Sequence, residues 1–213
     1  MYESAFRSIS MDTVANETWA PLNWVVAVSS RAFWIETERR DLGNMLEHQL
    51  GYVYIQEAAS MLPPIILNPK STDLILDAAA SPGSKTTQLA SIMKNKGLII
   101  ANDLTYQRML PISHNLQRCG VLNTITTIMD ARYIDYQFDK ILLDSPCSGT
   151  GTIHGLTQNS FYTVKTYSQH KIDTLSGLQK KLLLRCYNNL KPKGILVYST
   201  CSLDPEEDEE VIQ

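Results

Sequence analysis

In "DLILDAAASPGSKTTQLA", Asp73 to Ala90, a short apolar run ends in aspartate, passes through small residues and a Pro-Gly pair, and gives way to an amphipathic stretch. Strand, tight turn and helix in that order make one βα unit. The same form recurs downstream. "GLIIAND" (Gly97 to Asp103), "NTITTIMD" (Asn123 to Asp130), "DKILLD" (Asp139 to Asp144) and "GILVYST" (Gly194 to Thr200) read as further strands, apolar enough to be covered on both faces. Segments around Ser84 to Lys94, Tyr106 to Cys119 and Lys171 to Leu190 supply the crossover helices. The pattern predicts an α/β fold: a doubly wound, mostly parallel sheet with helices on both faces.

The first four strands end in aspartate: Asp77, Asp103, Asp130 and Asp144. The carboxyl ends of parallel strands form the rim at which open α/β sheets bind ligands. Aspartate is also a common turn residue after a strand, yet four together point to a single crevice.

Upstream, Met1 to Leu50 lacks strong periodicity and carries Trp19, Trp24, Trp34 and the charged "ETERRD". Residues 1–50 are expected to be an N-terminal extension packed on a core of residues 51–213. "YVYIQEAASMLPPIIL", Tyr52 to Leu67, is read as a connecting helix stopped by Pro63 and Pro64.

With 213 residues, 44% hydrophobic and 19% charged, the chain suits one large α/β domain with a small appendage. No apolar run approaches the roughly 18–20 uncharged residues of a membrane helix, and "MYESAFRSISMDTV" lacks the basic and apolar regions of a secretory leader. The four cysteines, Cys119, Cys147, Cys186 and Cys201, are too scattered for a disulfide framework, and no C-x-x-C pair suggests zinc. The expectation is a soluble, cytoplasmic monomer without a metal. A formal net charge of -3 gives no general push toward nucleic acid, so an RNA partner has to be gripped locally.

The loop after the first strand is neither a Walker sequence nor G-x-G-x-x-G. Its small residues suit a ligand carboxylate held at a helix N-terminus, such as the amino-acid end of S-adenosylmethionine. Asp103 is placed to bind a ribose diol, by the acidic-residue logic of dinucleotide folds, and Asp130 to accept from an adenine amino group. An adenosyl ligand fits all three. In "DSPCSGTG" a proline stiffens the turn before Cys147, and "YSTCS" ends the last strand in Cys201. Either cysteine alone reads equally well as a buried structural thiol; two at the ends of two strands beside one crevice favour chemistry.

"DAAASPGSKTT", "ANDLTYQR", "DSPCSGTG" and "YSTCSLDPEEDEE", in that order and spacing, resemble the RNA (cytosine-5) methyltransferases of the Nop/Sun type, and "LEHQLGYVYIQEAASMLPP" is similar to the segment preceding the core in archaeal members. The resemblance implies a Rossmann-like class I methyltransferase that uses S-adenosylmethionine to make 5-methylcytidine in RNA, with tRNA favoured. It implies that Cys201 is the nucleophile, that Cys147 assists product release, and that Asp144 and Lys85 line the cytosine pocket. Cofactor contacts are implied for Ala79, Ala80, Ser81, Pro82, Gly83, Ser84, Lys85, Asp103, Arg108, Asp130 and Asp144; for Arg108 the competing reading is support of the fold.

The sequence departs from the family pattern at Ala79, Ser81 and Ser84. Ser84 stands where the pattern has glycine, and a position needing φ > 0 would penalise its side chain. The resemblance also implies a further helix and two strands beyond Gln213, without which a sheet edge is expected to be exposed. A non-catalytic relic that binds RNA or a partner protein is therefore the competing reading, and a protein or small-molecule methyltransferase a third. Arg31, Arg39, Arg40, Arg108 and Arg132 are the basic residues offered for RNA phosphates. The acidic run Asp204 to Glu210 is read as the start of a helix, where negative charge suits the macrodipole.

Overall fold

A computed structural model of the chain describes residues 24–29, 32–36, 41–152 and 167–213. Two strands, β1 (Trp24–Ser29) and β2 (Ala32–Glu36), pair antiparallel as a hairpin that the aperiodic N-terminal sequence did not announce. Trp19 and the arginines Arg31, Arg39 and Arg40 lie outside the described residues.

The connecting helix is shorter than expected, and its prolines do the opposite of stopping it. Residues 52–58 are not helical, and α1 (Leu62–Leu67) begins with Pro63 and Pro64 in its first turn. The first amides of a helix have no partner inside it, so proline loses nothing there, and its fixed φ is already helical. The helix ends at Asn68 in the left-handed conformation (φ 49°). The buried Lys140 ammonium then donates to the Leu67 and Asn68 carbonyls and lies 3.3 Å from Asp73, tying this corner to the sheet.

The core follows as β3 (Leu74–Asp77), α2 (Ser84–Ile92), β4 (Leu98–Asp103), α3 (Tyr106–Arg118), β5 (Thr124–Ile128), β6 (Phe138–Asp144), α4 (Gln169–Asn188), β7 (Leu190–Ser199) and α5 (Glu209–Ile212). The five strands β3 to β7 form one parallel sheet in the order β5-β4-β3-β6-β7. Successive strands run outward from β3 on one side and then from β6 on the other. The reversal puts the switch point, where open sheets of this kind bind ligands, at the β3/β6 boundary, where the strands end in Asp77 and Asp144.

Residues alternate between two apolar layers, which is why the central strands carry little polar alternation. Leu76, Ile141 and Leu143 pack with Leu182 and Cys186 of α4; Ile75, Ile99 and Leu142 pack with Leu67 of α1 and with Leu89, Ala90 and Met93 around α2. Ala101 meets Met109, Ile112 and Leu116 of α3. The last strand starts four residues earlier than expected, with Pro192 inside it. Leu190 pairs with Phe138 and the ladder resumes only at Lys140 and Ile195, an irregularity tolerated at the edge of the sheet that the described residues form. Among the described residues no helix is long and apolar enough to cross a membrane.

Candidate active site

The turn after β3 is shaped by its neighbours' backbones. The Ala78 amide donates to Leu142 (2.9 Å), the Ala80 amide to Asn102 (2.9 Å) and the Gly83 amide to Ala80 (2.6 Å). Gly83, at φ 101°, turns the chain into α2, and a Cβ there would come within 3.2 Å of the Ile112 backbone. The left-handed position is thus Gly83 alone. Ser84 is the first helical residue and is not among the described residues with positive φ, so the penalty expected of its side chain does not arise. The first intrahelical bond runs from Thr87 N to Gly83 O, leaving the amides of Ser84, Lys85 and Thr86 at the open helix end.

Around this turn stand the aspartates. Asp103 accepts from Ser81 N (2.9 Å), Leu104 N (2.8 Å) and Arg108 Nε (2.6 Å). Asp130 accepts from Arg132 N and from Nε and Nη2 of its guanidinium, at 2.5–3.0 Å, and that arginine holds its carboxyl below the usual range. Arg108 and Arg132 are therefore ion-paired to the site's own aspartates, the alternative weighed for Arg108. Buried Asn102, which the sequence reading passed over, joins the three loops: its amide donates to Ala78 O (3.2 Å) and Met129 O (2.8 Å), and its oxygen accepts from Thr127 (3.0 Å).

At the β3/β6 boundary, Lys85 Nζ lies 2.6 Å from Asp144 Oδ2 and donates to Ser60 Oγ (3.0 Å), while Ser199 donates to Asp144 Oδ1 (2.7 Å). Ser60 had no role in the sequence reading; "EAAS" offers no chemical signature. Below them Asp77 is wholly buried. Thr86 donates to its Oδ2 at 2.6 Å, and its Oδ1 has no partner among the described residues. Burial pushes its carboxyl up to about 7 against the Thr86 hydrogen bond, with Asp144 and Asp103 adding and Lys85 opposing.

That shift has a consequence for stability. A carboxyl that ionises near 3.8 unfolded and near 7 folded binds its proton more tightly when folded, so stability falls as pH rises from about 4 to 7 and levels above. Asp77→Asn is expected to flatten the unfolding free energy between pH 5 and 8 by roughly 2 kcal/mol, measured by urea titration. An unchanged slope would show that Asp77 is charged in the folded protein.

The two cysteines meet beyond Asp144. Cys147, half-buried, and Cys201, exposed, are both free thiols, with their sulfurs 3.1 Å apart and the Cys201 amide donating to Cys147 Sγ at 3.3 Å. The hydrogen bond from Cys147 draws Cys201 down to about 7; burial and Asp144 oppose this, and Lys85 assists. Cys147 is driven up by the same hydrogen bond and by burial, so it keeps the shared proton. Gly151 N donates to Cys201 O at 2.9 Å, and a Cβ on Gly151 would sit 2.9 Å from that oxygen, so "SGTG" packs backbone to backbone against "STCS".

The acidic run corrects its expected role in part. Pro205–Glu207 does form a 3₁₀ turn ahead of α5, but Asp204, Glu207 and Asp208 point inward as acceptors. Asp204 Oδ2 receives Ser148 (3.0 Å), Thr150 (2.9 Å) and Ser202 (3.0 Å); Asp208 receives Thr200 (2.5 Å); Glu207 receives Ser148 N (3.0 Å) and Gln179 (3.0 Å). Two turns rich in serine and threonine present hydroxyl and amide donors, and buried donors need partners.

The structure thus brings Cys147, Cys201, Asp144 and Lys85 together over the crevice, and Ala79 to Ser84, Asp103, Arg108 and Asp130 along the rim beside it. The family described as 16S rRNA methyltransferase RsmB/F matches residues 64–213. The chain belongs to that family. A relative named tRNA (cytosine(49)-C(5))-methyltransferase from Pyrococcus abyssi is 44% identical over 195 residues, covering 90% of this chain and 60% of its own. Ribosomal RNA small subunit methyltransferase F from Vibrio parahaemolyticus is 41% identical over 202 residues, covering 91% and 41%. The crystal structure of a methyltransferase homologue from Pyrococcus horikoshii superposes with a TM-score of 0.78 at 42% identity, over 89% of this chain and 60% of that one. The chain thus spans about 40% to 60% of the length of these relatives. The fold is that of a Rossmann-like class I methyltransferase.

Proposed function

We propose that this RsmB/F-family chain methylates carbon 5 of cytidine in RNA, with S-adenosylmethionine as methyl donor and Cys201 as covalent nucleophile. The observation that carries the reading is the Cys147–Cys201 pair at 3.1 Å, set beside the Lys85–Asp144 ion pair at the sheet's switch point. Carbon 5 of cytosine is too weakly nucleophilic to take a methyl group unaided. Addition of the Cys201 thiolate to carbon 6 makes carbon 5 enamine-like and splits one hard step into easier ones. The target base leaves its stack to reach the thiol.

Asp144 accepts from the exocyclic amine of the base, and Lys85 places a positive charge beside the ring as negative charge develops on it. After methyl transfer a base removes the proton from carbon 5, the carbon 6–sulfur bond breaks, and Cys201 leaves as thiolate. Cys147, whose sulfur lies 3.1 Å from that of Cys201, or a water it positions, is the candidate to assist that departure.

The rim fits an adenosyl ligand. The open amides of Ser84 to Thr86 suit its carboxylate, and Asp103 Oδ2, accepting one bond of the two an oxygen can take, retains capacity for a ribose hydroxyl. When bound, S-adenosylmethionine supplies an electrophilic methyl group. Ser84 in a regular helical conformation removes one of the two grounds for the relic reading, the weakened cofactor loop. Structured RNA is the proposed substrate class and tRNA its first candidate, on the name of the archaeal relative.

Calorimetric titration of the purified chain with S-adenosylmethionine should give micromolar binding, lost at least tenfold in Asp103→Ala. Incubation with transcribed tRNA and labelled S-adenosylmethionine, followed by nucleoside digestion, should then yield 5-methylcytidine. A folded, monodisperse chain that binds no cofactor, or label on any other base, overturns the proposal.

A further inference from the structure

We propose that Glu207, working with Gln179, is a positioning residue for Cys147: the pair grips the peptide groups on both sides of that thiol and keeps its sulfur facing Cys201. Ser148 N, just after the cysteine, donates to both oxygens of Glu207 at 3.0 Å. Just before it, the Pro146 carbonyl accepts from Gln179 Nε2 at 2.9 Å, and the same nitrogen donates to Glu207 Oε1 at 3.0 Å. Glu207 and Gln179 are each 0% exposed. Tyr198 donates to the Glu207 carbonyl at 2.6 Å and fixes the carboxylate's own backbone.

Among the described residues no cation pairs with Glu207, and a buried charge without a counterion is expensive to keep. Packing alone would be served as well by apolar groups of the same volume. What a carboxyl adds is two acceptor oxygens in one place, both within reach of the Ser148 amide and one of them also taking the Gln179 amide. The Glu207 carboxyl bonds Ser148 N and Gln179, on the Cys147 side of the sulfur pair. Its influence on the nucleophile therefore passes through Cys147. The inference rests on the cysteine-pair reading above, though its test requires neither RNA nor cofactor.

The test is the pH dependence of iodoacetamide alkylation of Cys201 in the intact chain, followed by peptide mass spectrometry, with buried Cys119 and Cys186 as internal references. For the unmodified protein the midpoint is expected near 7. Glu207→Ala and Gln179→Ala should each move it toward the ordinary thiol value of 9.0 and slow alkylation at pH 7 on the order of tenfold. Glu207→Gln keeps one acceptor oxygen for Ser148 N or Gln179 Nε2 and loses the other, so it should shift the midpoint less than Glu207→Ala and restore part of the rate. In a Cys147→Ala background the midpoint should already be high, and adding Glu207→Ala should move it no further.

A purely structural role would lower melting temperature without moving the midpoint, or would shift it equally in both backgrounds; either result overturns the clamp. Should Glu207→Ala fail to fold, Gln179→Ala and Glu207→Gln decide by the same criterion. An unmodified midpoint near 9.0 would sink the cysteine-pair reading itself, whereas a normal midpoint near 7 that no variant moves would sink only the clamp.

Discussion

Cys201→Ala is expected to leave no detectable 5-methylcytidine, a loss of at least about a thousandfold, while Cys147→Ala is expected to accumulate an RNA–protein adduct that survives denaturation. The asymmetry follows from how the pair shares its proton. Across the 3.1 Å contact Cys201 is drawn down to about 7 while Cys147 is driven up, and so Cys201 is the thiol that ionises near neutrality. Only an ionised sulfur adds to carbon 6, so removing Cys201 removes the first bond-forming step. Removing Cys147 leaves Lys85 still favouring the thiolate but takes away the group facing the carbon 6–sulfur bond as it breaks. Addition slows; elimination should slow more. Since the thiolate is populated only above its pKa, turnover should rise with pH through about 7 and fall about tenfold per unit below it. Gel shift under denaturing conditions reads the adduct directly. An adduct that required Cys147 and persisted without Cys201 would reverse the two roles.

Much of this was visible in the residues because the chemistry is local to strand ends. Each apolar run between turn residues became a strand, and the terminal aspartates came to one rim because parallel strands all finish on the same side of the sheet. Pro63 and Pro64 misled for a definite reason: proline reads as a stop when the helix is assumed to begin earlier, and as a start when it does not. The acidic run misled in a similar way. From composition Glu207 is one of several solvated acids near a helix start, and only the fold reveals that Ser148 and Gln179, 59 and 28 residues away, bring buried donors to it. Asn102 and Ser60 were illegible for the same cause. A single amide or hydroxyl has no sequence signature, and its importance depends on which loops topology sets around it. Ser84 erred in the other direction, as a departure from pattern that local geometry makes harmless.

Lys85→Met should cut turnover by on the order of a hundredfold or more, with a smaller change in RNA affinity, and should move the acid limb of the pH–rate profile upward. Asp144→Asn should also lose turnover but move that limb downward. The opposite signs follow from the charges around Cys201. The Cys147 hydrogen bond is the chief pull on its proton; burial and the Asp144 carboxylate hold the proton on, and the Lys85 ammonium helps drive it off. Deleting the lysine leaves the carboxylate unopposed, and the thiolate then forms only at higher pH. Neutralising the aspartate removes the opposing charge, and it forms at lower pH. Both variants nonetheless slow the reaction, because the two groups sit 2.6 Å apart where the base must be held, with Ser60 and Ser199 fixing their outer faces. Lys85→Arg is not expected to rescue, since a planar guanidinium cannot replace a compact ammonium packed between Ser60 and Asp144. Single-turnover profiles of the three variants against pH would separate the effects: limbs moving in the same direction, or not at all, would show that the ion pair orients the base without setting the ionisation of the nucleophile.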